Sequence, residues 1–146
     1  MRETAATDRN EERVAKMAAD WQWNHRLLVV AADPGSEDFD LQLSVIAEVG
    51  SEWLDRDLLL IMLANEEGWI IHDPAAPRSE WRHLSVGEAA AFRIRYGLTG
   101  TRFEAALVGK DGGVKSRYLE IVTPAAIFPF IDAMPMRMDE IREDSE

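Results

Sequence analysis

The sequence predicts a single α/β domain with a central sheet of about four strands flanked by helices. Three observations predict it. The runs Leu27–Ala32 and Leu58–Ala64 are continuously apolar, as strands buried on both faces are. Between them lies a segment with apolar residues at helical spacing. After them come a helix start with a capping box and an Asp-Gly turn between two short extended runs.

Residues 1–20 read as a polar N-terminal extension, partly helical or disordered, with Val14, Met17 and Ala18 as weak anchors and Thr7 or Asp8 as the cap. The first strand follows Arg26 and stops at Asp33-Pro34-Gly35. Ser36 then caps a helix with Glu37 and Asp38 in its first turn, where the helix dipole favours anions. Phe39, Leu43, Ile46, Gly50 and Trp53 share one face, so the helix is expected to run to about Asp55. Strand, helix and strand in this order imply a parallel pair with a right-handed crossover.

Residues 65–84 carry the weakest pattern, with Trp69–His72 as a possible short strand and Asp73–Pro77 as a loop. Ser85 and Glu88 form the capping box, Ala89, Phe92 and Tyr96 the apolar side, and Gly97 the helix stop. Phe103–Val108 and Val114–Tyr118 read as a hairpin turning at Lys110–Gly113. Thr123-Pro124 starts the last helix, with Ile127, Phe130, Ile131 and Met134 as its inward stripe and Pro129 awkward inside it. Pro135 is expected to end or kink that helix. The main domain spans 21–142, and 143–146 is a charged tail.

Composition narrows function by exclusion. A formal charge of −11 over 146 residues disfavours nucleic acid and anionic membranes as partners. The chain has no cysteine, which removes thiolate nucleophiles, disulfides and Cys-ligated metals. No apolar leader follows Arg2, so a cytoplasmic location is the expectation. The oligomeric state is left open, and no cofactor is implied.

Several stretches carry a resemblance. Residues 96–117, YGLTGTRFEAALVGKDGGVKSR, resemble the thioredoxin and peroxiredoxin segment where a helix leads into a hairpin. Trp23 and Arg26 match a W-x-x-R entry to the first strand, Gly109–Arg117 a G-K-D-G-G-x-K-x-R hairpin, and Asp132–Arg137 a D-A-M-P-M-R close. Together they resemble a family of uncharacterised peroxiredoxin-like domains. That family includes small bacterial proteins and domains of animal extracellular proteins, among them the sushi-repeat-containing X-linked proteins and a coiled-coil-domain-containing matrix protein. The resemblance implies a thioredoxin-like β-α-β-α-β-β-α fold over about residues 21–142 and no established activity.

The departures matter. Where redox relatives carry their cysteine, at the start of the helix after the first strand, this chain reads Asp33-Pro34-Gly35-Ser36-Glu37-Asp38-Phe39-Asp40. Ser36 is a far weaker nucleophile than a thiolate without an adjacent base. Thioredoxins place a cis-proline before the third strand, where this chain has Gly100-Thr101-Arg102-Phe103. Arg102 resembles the arginine that supports a peroxiredoxin thiolate. Here it either pairs with the acidic cluster or binds an anionic ligand.

The candidate ligand residues are therefore Ser36, Asp38, Arg102, Lys110 and Arg117, with no catalytic residue and no metal ligand assigned. Glu37, Asp38 and Asp40 suit helix-dipole complementarity better than a divalent cation. His25, His72 and His83 match no zinc spacing, and His72-Asp73 reads as a loop edge. No G-x-S-x-G elbow is present, and GKDGGVK lacks the P-loop ending. Lys110, Lys115 and Arg117 are expected to make a small basic patch, and Met134, Met136 and Met138 either cover the sheet end or offer an adaptable surface. Of the five Trp, one or two are expected to be exposed. The reading is a non-enzymatic binding or adaptor domain for a protein partner. The alternative is a cysteine-independent enzyme or sensor for a small anionic ligand at the vestigial site.

Overall fold

Strands that are apolar on both faces have to be covered on both sides. In the computed structural model this is what the helices do. The structure describes residues 2–33 and 35–145, with side chains for 8–33 and 35–144. Pro34, part of the loop expected after the first strand, lies outside the described residues. The elements in chain order are α1 (Arg2–Trp21), β1 (Arg26–Ala31), α2 (Glu37–Ala47), α3 (Ser51–Asp55), β2 (Leu58–Leu63), β3 (Gly68–Ile71), β4 (Arg82–Leu84), α4 (Val86–Tyr96), β5 (Glu104–Val108), β6 (Val114–Tyr118), α5 (Pro124–Asp132) and α6 (Pro135–Ser145).

They build one open six-stranded mixed sheet in the order β4-β3-β2-β1-β5-β6. β1 and β2 run parallel, with Arg26 opposite Leu58 and Ala31 opposite Leu63. Every other pairing is antiparallel, including β1 with β5, where Leu27 faces Val108 and Ala31 faces Glu104. The strand count corrects the expected four. Trp69–Ile71 does pair, against β2, and β4 then adds to β3. β4 is three residues long and mostly exposed, too short to show an alternating pattern.

Alternation along β1 divides the core. Leu27, Val29 and Ala31 join Val14 and Met17 of α1 and Ala89, Phe92 and Tyr96 of α4. Leu28 and Val30 join Phe39 and Ile46 of α2, Trp53 of α3 and Ile127, Phe128 and Ile131 of α5. α1 starts at Arg2, ahead of the expected cap near Thr7 or Asp8, and packs on α4. Trp21 stacks on Phe92 at 5.9 Å. Gly87 permits the approach, since a Cβ there would sit 2.0 Å from the Asn10 side chain.

The capping box forms as expected: Ser85 accepts from the Glu88 N–H, Glu88 accepts from the Ser85 N–H, and Gly97 closes α4 in the left-handed region. The helix expected from Ser36 to Asp55 is instead broken into α2 and α3 at Gly50, whose φ of +39° interrupts helical geometry while Trp53 stays buried. The inward stripe of α5 is Ile127, Phe128 and Ile131, with Phe130 45% exposed. At about 100° per residue, Phe130 lies on the far side of Ile127 from Phe128 and Ile131. Phe128 takes the inner place, under the Arg56 guanidinium at 3.9 Å from its ring centroid. Pro135 does end the preceding helix, but it also opens α6, a suitable N1 position, and this further helix runs into the expected charged tail at 143–146.

Candidate functional site

The two ends of the sheet hold the chemistry. At one end lie the C-terminal ends of β1 and β2 and the start of β5. Ser36 occupies the N-cap position of α2, but its hydroxyl makes no cap bond and donates instead to the Asp33 carbonyl at 2.6 Å. Asp38 is exposed on the first turn, and Asp40 reaches Arg78 at 3.6 Å across an exposed pair. Arg102 does not pair with this acidic cluster and makes no ion pair among the described residues. It lines a pocket of about 340 Å³ with Asp33, Asn65, Arg93, Thr99 and Thr101.

Arg93 is the residue the sequence reading missed. Its Nη2 donates to the carbonyls of Ala64 at 2.7 Å and Leu63 at 3.4 Å, closing the end of β2. A signal was present: Arg93 is four residues after Ala89 and three before Tyr96, on the side of α4 that faces the sheet. A larger, open pocket of about 1040 Å³ adjoins, lined by Asp33, Glu66, Glu67, Glu88 and His83. Among the described residues, no three His, Asp or Glu side chains gather as metal ligands.

The opposite end, at the start of β1 and β2, is an ion-pair network. Arg26, 1% exposed, meets Glu140 through both terminal nitrogens at 3.2 and 3.0 Å and donates to the Arg56 carbonyl. Lys110 bridges Asp57 at 2.8 Å and Glu140 at 2.9 Å. Arg137, buried, contacts Asp55 at 2.6 Å and Asp132 at 3.1 Å, and Arg56 shares Asp132 at 2.8 Å. Desolvation pushes the Glu140 carboxyl up, but hydrogen bonds from Arg26 and Lys110 outweigh it and hold the group below the usual carboxylate range. Asp132 behaves alike: burial is opposed and overcome by Arg56 and Arg137.

This placement corrects the basic patch. Lys110 is 8% exposed and neutralised, while Lys115 pairs with Asp111 at 2.6 Å. Arg117 lies opposite Ala106 on β6, half-exposed, 4.0 Å from Glu104. Lys110 and Ser36 therefore sit at opposite ends of β1, about 20 Å apart for a six-residue strand. The three quoted motifs supply Arg26, Lys110, Asp132 and Arg137, so the text that carried the resemblance converges on one network.

Beside the network lies a groove of about 410 Å³, walled by Trp23, Phe130, Met134, Pro135 and Met136 and edged by Lys115. Trp23 is 58% exposed and holds φ at +72°, an outlier for a bulky side chain. Its N–H donates to the Lys110 carbonyl at 2.6 Å, which ties the strained residue to the hairpin. Trp53 is fully buried, and Trp21, Trp69 and Trp81 are half-buried, so one Trp is exposed. His25 and His72 meet edge-on at 6.3 Å near Asp57, whose carbonyl lies 3.2 Å from His25 Nδ1. Asp73 does not serve His72; its Oδ1 accepts from the Ala75 N–H.

The fold and these two sites define a cysteine-free mixed α/β domain. Residues 17–140 match the family described as Domain of unknown function (DUF4174), and the chain belongs to that family. It is similar to Sushi repeat-containing protein SRPX2 of Rattus norvegicus, 30% identical over 122 residues, covering 83% of this chain and 25% of that protein. The Homo sapiens protein of the same name is 28% identical over 122 residues, with the same coverage. The chain thus spans about a quarter of the length of the curated relatives it matches. No solved structure matches it. Among the described residues, no helix is long and apolar enough to cross a membrane. The likeness to a sushi-repeat protein lends no support to the expected cytoplasmic location.

Proposed function

We propose that this chain is a non-enzymatic binding domain on a thioredoxin-like scaffold, and that it docks an apolar segment of a partner protein in the groove beside Trp23. The strand order β2-β1-β5-β6, with one parallel and two antiparallel contacts, supports the thioredoxin-like reading, and β3-β4 is then an addition at one edge. The absence of any cysteine accords with a scaffold used without redox chemistry.

The observation that carries the docking reading is Trp23, a large aromatic held exposed at positive φ. Strain of this kind persists where surrounding structure over-determines it, and it concentrates at functional surfaces. Phe130, Met134 and Met136 complete an apolar wall, and Met side chains repack around a guest. Exposed Trp beside such a wall is the usual anchor of a protein interface. The relatives are about four times longer than the matched region, so there the domain works beside other segments.

The test is selection of peptides from a random display library against the folded protein. Enriched peptides are expected to carry a large apolar residue and to lose binding to Trp23→Gly and to Met136→Glu, while both variants keep the native circular dichroism. Binders indifferent to both substitutions, or no enrichment at all, would refute the reading.

A further inference from the structure

Charge at the loop end of the sheet is left unmatched. Buried guanidinium groups are ordinarily met by a carboxylate. Arg93 is partly buried, its Nε is shielded from solvent and has no hydrogen-bond partner, and its Nη2 reaches only main-chain carbonyls. The chain has 27 acidic residues against 16 basic ones, so a carboxylate partner would be easy to supply. None lies within ion-pair distance of Arg93 or of Arg102 among the described residues. Burial accordingly pushes the Arg93 guanidinium down from its usual value.

Both arginines line the same pocket of about 340 Å³, and Asn65, Thr99 and Thr101 bring neutral groups that can donate. The one carboxylate on the wall, Asp33, has Oδ1 engaged by the Gly35 N–H. We infer that this pocket binds a small oxyanion, the carboxylate or phosphate group of a small molecule, held between Arg93 and Arg102. The exposed Arg102 offers its planar guanidinium fork to two oxygens of either group at once, while Arg93, held by main-chain carbonyls, adds its charge. The surrounding charge of −11 selects against polyanions, so the guest is a small molecule. The pocket is at the opposite end of β1 from the Trp23 groove, and the inference stands or falls apart from the docking reading.

The test follows the Nε–Hε nuclear magnetic resonances of the arginines while inorganic phosphate, or separately succinate, is added at fixed ionic strength. With at least one anion, the Arg93 and Arg102 signals are expected to shift and saturate, at millimolar Kd or tighter. Response to phosphate alone or succinate alone names the source group. Arg102→Ala should weaken binding by about tenfold or more, as loss of a charged hydrogen bond does, with unchanged circular dichroism. Arg93→Gln removes the second charge and should weaken it as well. Arg142→Ala, on α6 at the far end of the sheet, should change nothing. Shifts that never saturate, or binding untouched by Arg102→Ala, would overturn the inference.

Discussion

At the start of β1 and β2, Arg26, Arg56, Lys110 and Arg137 each meet a carboxylate, whereas at the other end of the same strands Arg93 and Arg102 meet none among the described residues. The same acidic chain produces both. The difference lies in which elements converge. α6 closes the network end and carries Glu140 onto Arg26 and Lys110, with Arg137 one turn away. The pocket of Arg93 and Arg102 is walled by the turns after β1, β2 and α4, which bring Asn65, Thr99 and Thr101 but a single, engaged carboxylate. A carboxylate-paired network specifies how α6 seats, while cations without a carboxylate leave a place for something from outside. The carboxylate-paired cations and the unpaired ones are thus separated along one sheet.

The sharpest way to break this contrast is to remove one carboxylate from the network. Glu140→Ala strands Arg26, which is 1% exposed, and should cost about 3 kcal/mol or more. Arg102→Ala should stay within about 0.5 kcal/mol, as exposed substitutions do. Urea midpoints of the two variants decide the matter, and equal losses would show that the network does not hold α6 in place.

Acid should attack the same end. Glu140 and Asp132 titrate below the usual range in the folded chain, so the unfolded chain binds more protons in that window. Their contribution is complete above about pH 4.5 and is lost as pH falls through their depressed folded values. His72 adds a smaller step in a higher window. Burial first, then His25 and Arg82, lowers its folded value, so stability is full above about pH 6.5 and declines as pH falls through that lowered value. Urea denaturation across pH should show both declines, with His72→Gln erasing the upper one alone. A flat profile from pH 5 to 3 would contradict the network.

Much of the fold was legible because its signals are local. The capping box at Ser85 and Glu88, the stop at Gly97 and the turn before Gly113 each lie within a few residues of sequence, and each forms. The network was not legible as a network, because Arg26, Asp57, Lys110 and Glu140 are brought together by four separate elements and connections. Sequence alone puts Lys110 in a basic patch for this reason, although the G-K-D-G-G, W-x-x-R and D-A-M-P-M-R motifs hold it along with Arg26, Asp132 and Arg137. Phe130 was misplaced because a spacing of three and four fits more than one arc of a short helix, and only the position of Arg56 over Phe128 selects the arc. Arg93 was legible in principle, as a cation at a core-facing helical position.

Trp23→Gly tests whether the groove wall is kept for binding at a cost to folding. Glycine accepts φ near +72° freely, and the exposed indole contributes little burial, so stability should hold or rise by about 1 kcal/mol. A Tm that rises while selected peptides no longer bind is the expected pair of results. A clear loss of stability would make Trp23 a structural residue, and the groove would lose its anchor.

The smallest effect on folding should come from Ser36→Cys, which asks whether the two arginines extend their influence to the start of α2. The N-cap position alone would lower a thiol pKa. Against it stand Asp33, whose carbonyl accepts the present hydroxyl, and Glu37, Asp38 and Asp40 on the first turn. The carboxylates are nearer in sequence and more numerous than the cations, so the thiol should titrate above about 8.5, the value of a free cysteine. Ultraviolet absorbance of the thiolate against pH reads this directly, and no peroxide turnover should accompany it. A value well below that of free cysteine would mean that Arg102 reaches Ser36. The oxyanion pocket and the head of α2 would then be one electropositive site, and the separation between the pocket and the acidic cluster would have to be redrawn.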